Sequence, residues 1–329
     1  HGVLAVVGAL KECGVRRFGV AHLEEALEIK RVFPELMVMV IGYTPAASFP
    51  LALEHGVIQG IFSIEQAREL SKAAQRAGKI ATLHMKVDTG MGRIGFQSNE
   101  ISEMIRCAEL SHLYIEGIYT HFADADQADL SFARKQLQRF NKVLEQLAIH
   151  GIHIPIRHTA NSAALMKMPQ AHFELVRPGI ILYGFPPLRD AGKDSGFEPV
   201  LSWKTKISQV KVIGTGEAVS YGRTFRAAYP TRVATIPVGY ADGLRRALSN
   251  QGEVLVRGER AAIIGRVCMD NTMLEVTKLP EVKAGDVVTL LGADGSERLE
   301  ATEMAALLGT INYEVLCGIS KRVPRVFVD

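Results

Sequence analysis

The residues able to do chemistry sit where apolar runs end. In the stretch 84–93, His-Met-Lys-Val-Asp-Thr-Gly-Met-Gly-Arg, Lys86 lies among apolar neighbours and Arg93 in a glycine-rich loop. A lone buried ammonium is costly and needs a negative partner, so Lys86 reads either as a salt-bridged structural lysine or as part of a site. Two further apolar runs end in His121 and in His158-Thr159-Ala160-Asn161-Ser162. A single histidine in such a place is more often structural, but here flat rings and hydrogen-bonding side chains recur at successive strand ends. The segment 175–180, Leu-Val-Arg-Pro-Gly-Ile, adds Arg177 and a proline without an N–H, which leaves the N–H groups of Gly179 and Ile180 available to an anion. Arg177 beside them suits a phosphate or a ring nitrogen. Gly90, Gly92 and Gly95 match the G-x-G-x-x-G dinucleotide fingerprint formally, yet the following helix is expected only from Ser98 or Asn99, outside the motif. We reject that reading. No Cys, His and Asp grouping has zinc-ligand spacing, and 158–162 lacks the form of a nucleophile elbow.

Further along, three polar clusters interrupt strand-like runs: Tyr221 in "AVSYGRTF", Tyr240 and Asp242 in "IPVGYADG", and Cys268, Met269 and Asp270 in "GRVCMD". Tyr313 follows near the end. Any one tyrosine is as readily a packing residue as a functional one; several such clusters in a small region suggest that it helps form a site.

These residues must be positioned by two kinds of architecture. Up to about residue 190, strand candidates at 16–22, 36–43, 56–63, 81–89, 114–123, 155–162 and 175–184 alternate with helical patterns at 22–33, 63–78, 100–110 and 131–151. A helical face of Leu4, Val7 and Leu10 ends near Gly14. Such βα alternation implies a parallel sheet, and its length suits an α/β fold of the (β/α)8 barrel type with sites on the loops after the strand C-termini. Seven strands are visible, and the chain opens in the helix that would follow a first, missing strand. From about 198 the pattern becomes mostly β, with turns at Arg257-Gly258 and Asp294-Gly295 and one short helix at 301–309. The expected division is a barrel over 1–195 and a β domain over 196–329, joined through the Pro- and Gly-rich stretch 185–199.

Composition removes other classes. The 329 residues are 47% hydrophobic and 22% charged, with 38 basic against 35 acidic residues and a net charge of +3. That describes an ordinary globular protein without the clustered basic residues that nucleic acid requires. No apolar run approaches the roughly 20 residues of a membrane span. The apolar opening lacks a basic flank and a cleavage site, so no secretory leader is expected. The four cysteines form no C-x-x-C, which suits free thiols and a cytoplasmic protein.

Taken together, "HMKVDTGMGRIGF", "GIYTHFADAD", "HTANSAA", "VRPGIILYG", "VSYGRTF", "IPVGYADG", "GRVCMD" and "TINYEVLCGISKRVPR" resemble alanine racemases, pyridoxal-phosphate enzymes of the barrel fold type. The resemblance runs in order along the whole chain. It implies interconversion of L- and D-alanine by two bases, supplying D-alanine for cell-wall synthesis, in a homodimer with shared active sites. Tyr221 matches the tyrosine that enters from the partner subunit and takes the α-proton of L-alanine. Arg177 matches the residue facing the pyridine nitrogen. Ser162, Gly179, Ile180 and Tyr313 match phosphate-binding positions, with Asn161 beside them, and His121 matches a residue packed near the cofactor ring. Arg93 corresponds to a contact of the cofactor's phenolic oxygen and the substrate carboxylate, Met269 to a main-chain contact of that carboxylate, and Lys86 to a lysine often carbamylated. Tyr240 and Asp270 match residues that line or support the substrate's approach. The family's cofactor lysine, in a segment like "AVVKANAYG", has no counterpart here, and His1-Gly2 resemble the tail of the run that follows it. Two other functions fit parts of the pattern: a non-catalytic pyridoxal-phosphate-binding barrel protein, and a racemase for serine or another amino acid.

Overall fold

The computed structural model describes residues 1–187 and 196–328, in two units, His1–Phe197 and Glu198–Asp329. Of the expected linker, residues 188–195 lie outside the described residues, as does the expected boundary at 195. The first unit is a βα alternation: α1 (Val3–Glu12), β1 (Arg17–Val20), α2 (Leu23–Val32), β2 (Met37–Val40), α3 (Phe49–Glu54), β3 (Ile58–Ile61), α4 (Ile64–Ala77), β4 (Ala81–Asp88), β5 (Phe96–Gln97), α5 (Ile101–Ala108), β6 (Leu113–Tyr119), α6 (Ser131–Ile149), β7 (Ile156–His158) and α7 (Ser162–Lys167). The strands form a curled parallel sheet in the order β1-β2-β3-β4-β6-β7, with the two-residue β5 added beside β4.

The helices form where the sequence supplies both a buried stripe and end signals. In α4, Ile64, Ala67, Leu70, Ser71 and Ala74 make one buried face. The Ser63 hydroxyl caps its start by accepting the Gln66 N–H at 3.2 Å, and Gly78 ends it in the left-handed conformation. Truncating the fully buried Leu70 to Ala would cost about 2–5 kcal/mol.

Alternation along β4 divides the unit into layers. Leu83, Met85 and Val87 pack outward against Leu70, Met104 and Phe140 of the helices. His84 and Lys86 therefore face the inside of the curl, where barrels of this type usually place branched apolar residues. That interior polarity is the feature that positions the site.

The structure corrects one strand. Residues 175–184 form no strand; Ile180–Tyr183 is a turn of 3₁₀ helix. Only Leu175 and Arg177 donate backbone N–H groups to the β7 side, to the Arg157 and Ala160 carbonyls, and Pro178 has no N–H with which to continue a ladder. The glycine loop after β4 also has a structural explanation. Asp88 Oδ1 accepts the N–H groups of Gly90, Met91 and Gly92 at 2.8–3.1 Å, and a Cβ on Gly95 would lie 2.4 Å from the Asp88 nitrogen. These N–H groups serve the loop, not a dinucleotide, and the helix begins only at Ile101.

The second unit is built on an eight-stranded antiparallel sheet whose neighbours include Thr231–Ile236 with Thr272–Glu275, and Glu253–Val256 with Glu259–Ile264. The Arg257-Gly258 turn has positive φ at both residues, the form that suits a tight hairpin. Besides the expected helix, Ala301–Leu308, a second one covers Asn312–Gly318, so the reading of a single helix is corrected. Among the described residues no helix is long and apolar enough to cross a membrane.

Candidate active site

Because the strands are parallel, their C-terminal ends share one rim, and Lys86, His121, His158 and Arg177 gather there. Arg177 is the centre. Its Nη1 donates to His158 Nδ1 at 2.8 Å and to the His158 carbonyl at 2.7 Å, while Nη2 donates to the carbonyls of Thr120 at 2.7 Å and Thr159 at 3.2 Å. The guanidinium thus ties the loop after β6 to the loop after β7. Nη2 also lies 3.4 Å from His121 Nδ1. Among the described residues the Nε–H has no partner, so one donor of the fork remains for a ligand. Burial pushes the Arg177 pKa down to about 10, and the group still carries its charge at neutral pH.

His121 is held from behind. Gln136 of α6 donates to the His121 carbonyl at 3.1 Å and accepts the Ala123 N–H at 3.0 Å. Burial, reinforced by Arg177, Arg93 and Lys86, lowers the His121 pKa to about 3 and makes it a neutral ring. Lys86 is only 4% exposed, and its ammonium lies 5.6 Å from the Tyr119 ring centre. Burial first, then Arg93 and Arg177, push its pKa down to about 8. Among the described residues neither the Lys86 ammonium nor the Arg93 guanidinium has a hydrogen-bond or ion-pair partner. The rim therefore carries three cations, Lys86, Arg93 and Arg177, whose mutual repulsion an anionic ligand would relieve.

Ser162 and Gly179, two of the residues expected at a phosphate, lie beside each other. The Gly179 N–H is engaged, donating to Ser162 Oγ at 2.8 Å, so the buried Ser162 hydroxyl retains its own hydrogen to donate. The Asn161 side chain accepts the Ala164 N–H at 2.9 Å and so serves as the cap of α7. Ile180 opens the 3₁₀ turn beside them.

In the second unit the expected residues lie on loops that touch each other. The N–H groups of Tyr240 and Ala241 donate to the carbonyls of Cys268 and Met269, and a Cβ on Gly239 would lie 2.2 Å from the Cys268 oxygen. Ser220, in a left-handed conformation, donates from its hydroxyl to the Arg266 carbonyl at 2.6 Å and fixes the start of the Tyr221–Arg223 turn. Arg322 bridges Asp270 at 2.9 Å and Asp242 at 3.5 Å, and the Ser320 N–H donates to the Asp242 carbonyl. Tyr221, Tyr240 and Met269 remain 73%, 45% and 53% exposed, and Tyr313 projects from the helix Asn312–Gly318. All four side chains are exposed and none is part of a packed core.

Sequence reasoning passed over His84, Glu116 and Arg17. The signal was present: His84 shares the parity of Lys86, and Glu116 is a lone charge in the run "YIEGIY".

Residues 1–187 match the N-terminal domain of alanine racemase, and residues 200–327 match its C-terminal domain. The chain belongs to the alanine racemase family. It is 44% identical over 329 residues to an alanine racemase of Carboxydothermus hydrogenoformans, covering all of this chain and 89% of that protein. Among solved structures it is similar to alanine racemase from Bacillus anthracis with bound L-Ala-P, at a TM-score of 0.94 and 38% identity over 100% of this chain and 85% of that one. Alanine racemase from Bartonella henselae with covalently bound pyridoxal phosphate superposes at a TM-score of 0.90, with 30% identity over 99% of this chain and 89% of that one. The racemases thus match both units of the chain.

Proposed function

We infer that this protein is a pyridoxal-phosphate-dependent alanine racemase. The observation that carries this reading is the cationic rim of Lys86, Arg93 and Arg177 around a neutral His121, in a chain that matches both domains of the family. That rim fits a cofactor bearing a phosphate and a phenolic oxygen. When bound, pyridoxal phosphate supplies a conjugated ring that delocalises the electron pair left as the Cα proton departs. Arg177 offers its Nε–H to the ring nitrogen and, being a permanent cation, leaves that nitrogen unprotonated. By holding that nitrogen unprotonated, Arg177 would favour return of the proton to Cα over side reactions. Ser162, Ile180 and Tyr313 serve the phosphate, with Gly179 and Asn161 shaping that corner, and His121 lies against the ring. Arg93 pairs with the substrate carboxylate, assisted by the Met269 main chain. Tyr221 is the base that takes the α-proton of L-alanine and returns it, at its phenolic oxygen. Tyr240 lines the substrate's approach and Asp270 holds Arg322 there.

Tyr221 acts in the partner subunit of a homodimer, which accounts for its exposure. The enzyme is cytoplasmic, in keeping with its four free cysteines, and its D-alanine feeds cell-wall synthesis. The match of residues 200–327 to the C-terminal domain disfavours a non-catalytic, single-domain cofactor carrier. The test is optical rotation of L- or D-alanine with pyridoxal phosphate and protein that also carries the family's cofactor lysine. Both enantiomers are expected to converge on the racemic mixture, with serine a weak competitor. No conversion, or faster turnover of serine, would overturn the assignment.

A further inference from the structure

Behind Arg177 lies a file of polar groups, its two histidines buried, that reaches from β7 through β4 and β6 to β1. His158 Nε2 is 2.7 Å from His84 Nδ1, His84 Nε2 is 2.9 Å from Glu116 Oε2, and both Glu116 oxygens accept from the Arg17 fork at 2.9 and 3.1 Å. The donor inventory fixes every proton in this file. A guanidinium only donates, so His158 Nδ1 must accept and the His158 proton sits on Nε2. His84 Nδ1 must then accept, which puts its own proton on Nε2, aimed at a carboxylate that only accepts. Both imidazoles are neutral, in accord with the downward pull of burial on each.

Two backbone features exist to make this geometry. Leu83 pairs with Ile115 but His84 with Gly117, so Glu116 is the extra residue of a β-bulge, which turns its side chain beneath His84. A Cβ on Gly117 would lie 2.3 Å from His84 Nδ1, so only glycine leaves room for the ring. Tyr119 stacks on His158, with planes 6° apart and centres 4.8 Å apart, and fixes the second ring.

We propose that Glu116 is the remote counter-charge and positioning group of Arg177, acting through His84 and His158. Each N–H donated toward the carboxylate makes the opposite ring nitrogen a stronger acceptor, so the negative charge is felt at the guanidinium two rings away. Arg177 thereby stays charged without a carboxylate beside it, where an acid would compete for the ligand, and its Nη atoms are locked so that Nε–H faces outward. Arg17 holds Glu116 in place from β1. The consequence for the cofactor rests on the racemase reading; the relay itself does not.

The test is ¹H–¹⁵N correlation of the imidazole and Arg177 guanidinium nitrogens in the cofactor-free protein, native and Glu116→Gln. In the native protein both His84 and His158 are expected more than about tenfold in favour of the Nε2–H tautomer. The amide oxygen of Glu116→Gln can still accept from His84 Nε2–H, so the tautomers should hold while the charge is lost, and the Nε2–H protons of both rings and the Arg177 Nη hydrogens should move upfield. A native His84 or His158 protonated on Nδ1 overturns the proposal whether or not the variant folds. So does a folded Glu116→Gln variant whose His84, His158 and Arg177 proton shifts are those of the native protein. Native tautomers as derived, in a protein that fails to racemise alanine, would count against the enzyme reading and leave the relay standing.

Discussion

Arg177 and Tyr221 are the two residues that carry the proposed chemistry, and their surroundings are opposite. Four hydrogens of Arg177 are assigned to neighbours, its histidine partner is fixed by two more layers, and one donor is left over. Tyr221 stands 73% exposed on a three-residue turn, held by its backbone and not by contacts to its ring. The first arrangement is preorganised within one unit, as groups that stabilise developing charge must be. The second presents a reactive group outward. A base that works only in a dry pocket makes sense there if another subunit closes over it. The difference teaches that exposure at a functional residue reads as an unfinished site, and burial as a finished one.

Four changes would break or sharpen that contrast. In protein that also carries the family's cofactor lysine, Tyr221→Phe should slow α-proton removal from L-alanine by about 10²–10⁴-fold while retaining exchange from D-alanine. Deuterium wash-in from each enantiomer measures this, and equal loss on both sides would remove the two-base assignment. Next comes Lys86, whose pKa falls from 10.5 to about 8 on folding. Between pH 8 and 10.5 the unfolded chain binds more protons, so native stability should rise across that window, by on the order of 2–3 kcal/mol. Lys86→Met should abolish the rise and stabilise the protein at pH 7, read from urea midpoints. A flat native profile would mean that the ammonium is already neutralised, as carbamylation would do. Gly117→Ala should cost about 1–3 kcal/mol by crowding His84, seen in the same titrations. The smallest effect belongs to the second unit's surface. Arg260 pairs with Glu253, Glu297 and Glu303 in the open, and Arg260→Ala should change stability by only ~0–1 kcal/mol.

The legible parts of the fold were those where one period dominates. The four long helical patterns lie within a residue or two of Leu23–Val32, Ile64–Ala77, Ile101–Ala108 and Ser131–Ile149, because buried stripes and caps agree there. Residues 175–184 misled because "GIILYG" is apolar enough for a strand, while the deciding fact, Pro178 at the sheet's edge, is a missing donor and not a pattern. The helix Asn312–Gly318 was hidden by polar residues on an exposed surface. At the site, strand ends pointed to His121 and His158, an inward mid-strand position to Lys86, and the Pro178-Gly179 turn to Arg177. Glu116 was missed because its inward aim depends on a bulge, and strict alternation along β6 places it with Ile118 on the helix side.

In the proposed enzyme, the Arg177 rim of one subunit and Tyr221 of a second complete one site. Mixing Tyr221→Phe and Arg177→Ala, each inactive alone, tests it after subunits exchange. Half of the dimers would be hybrids with one of two sites intact, so activity should return to about a quarter of native. A mixture that stays inactive despite proven exchange would place Tyr221 in its own subunit's site and contradict the account.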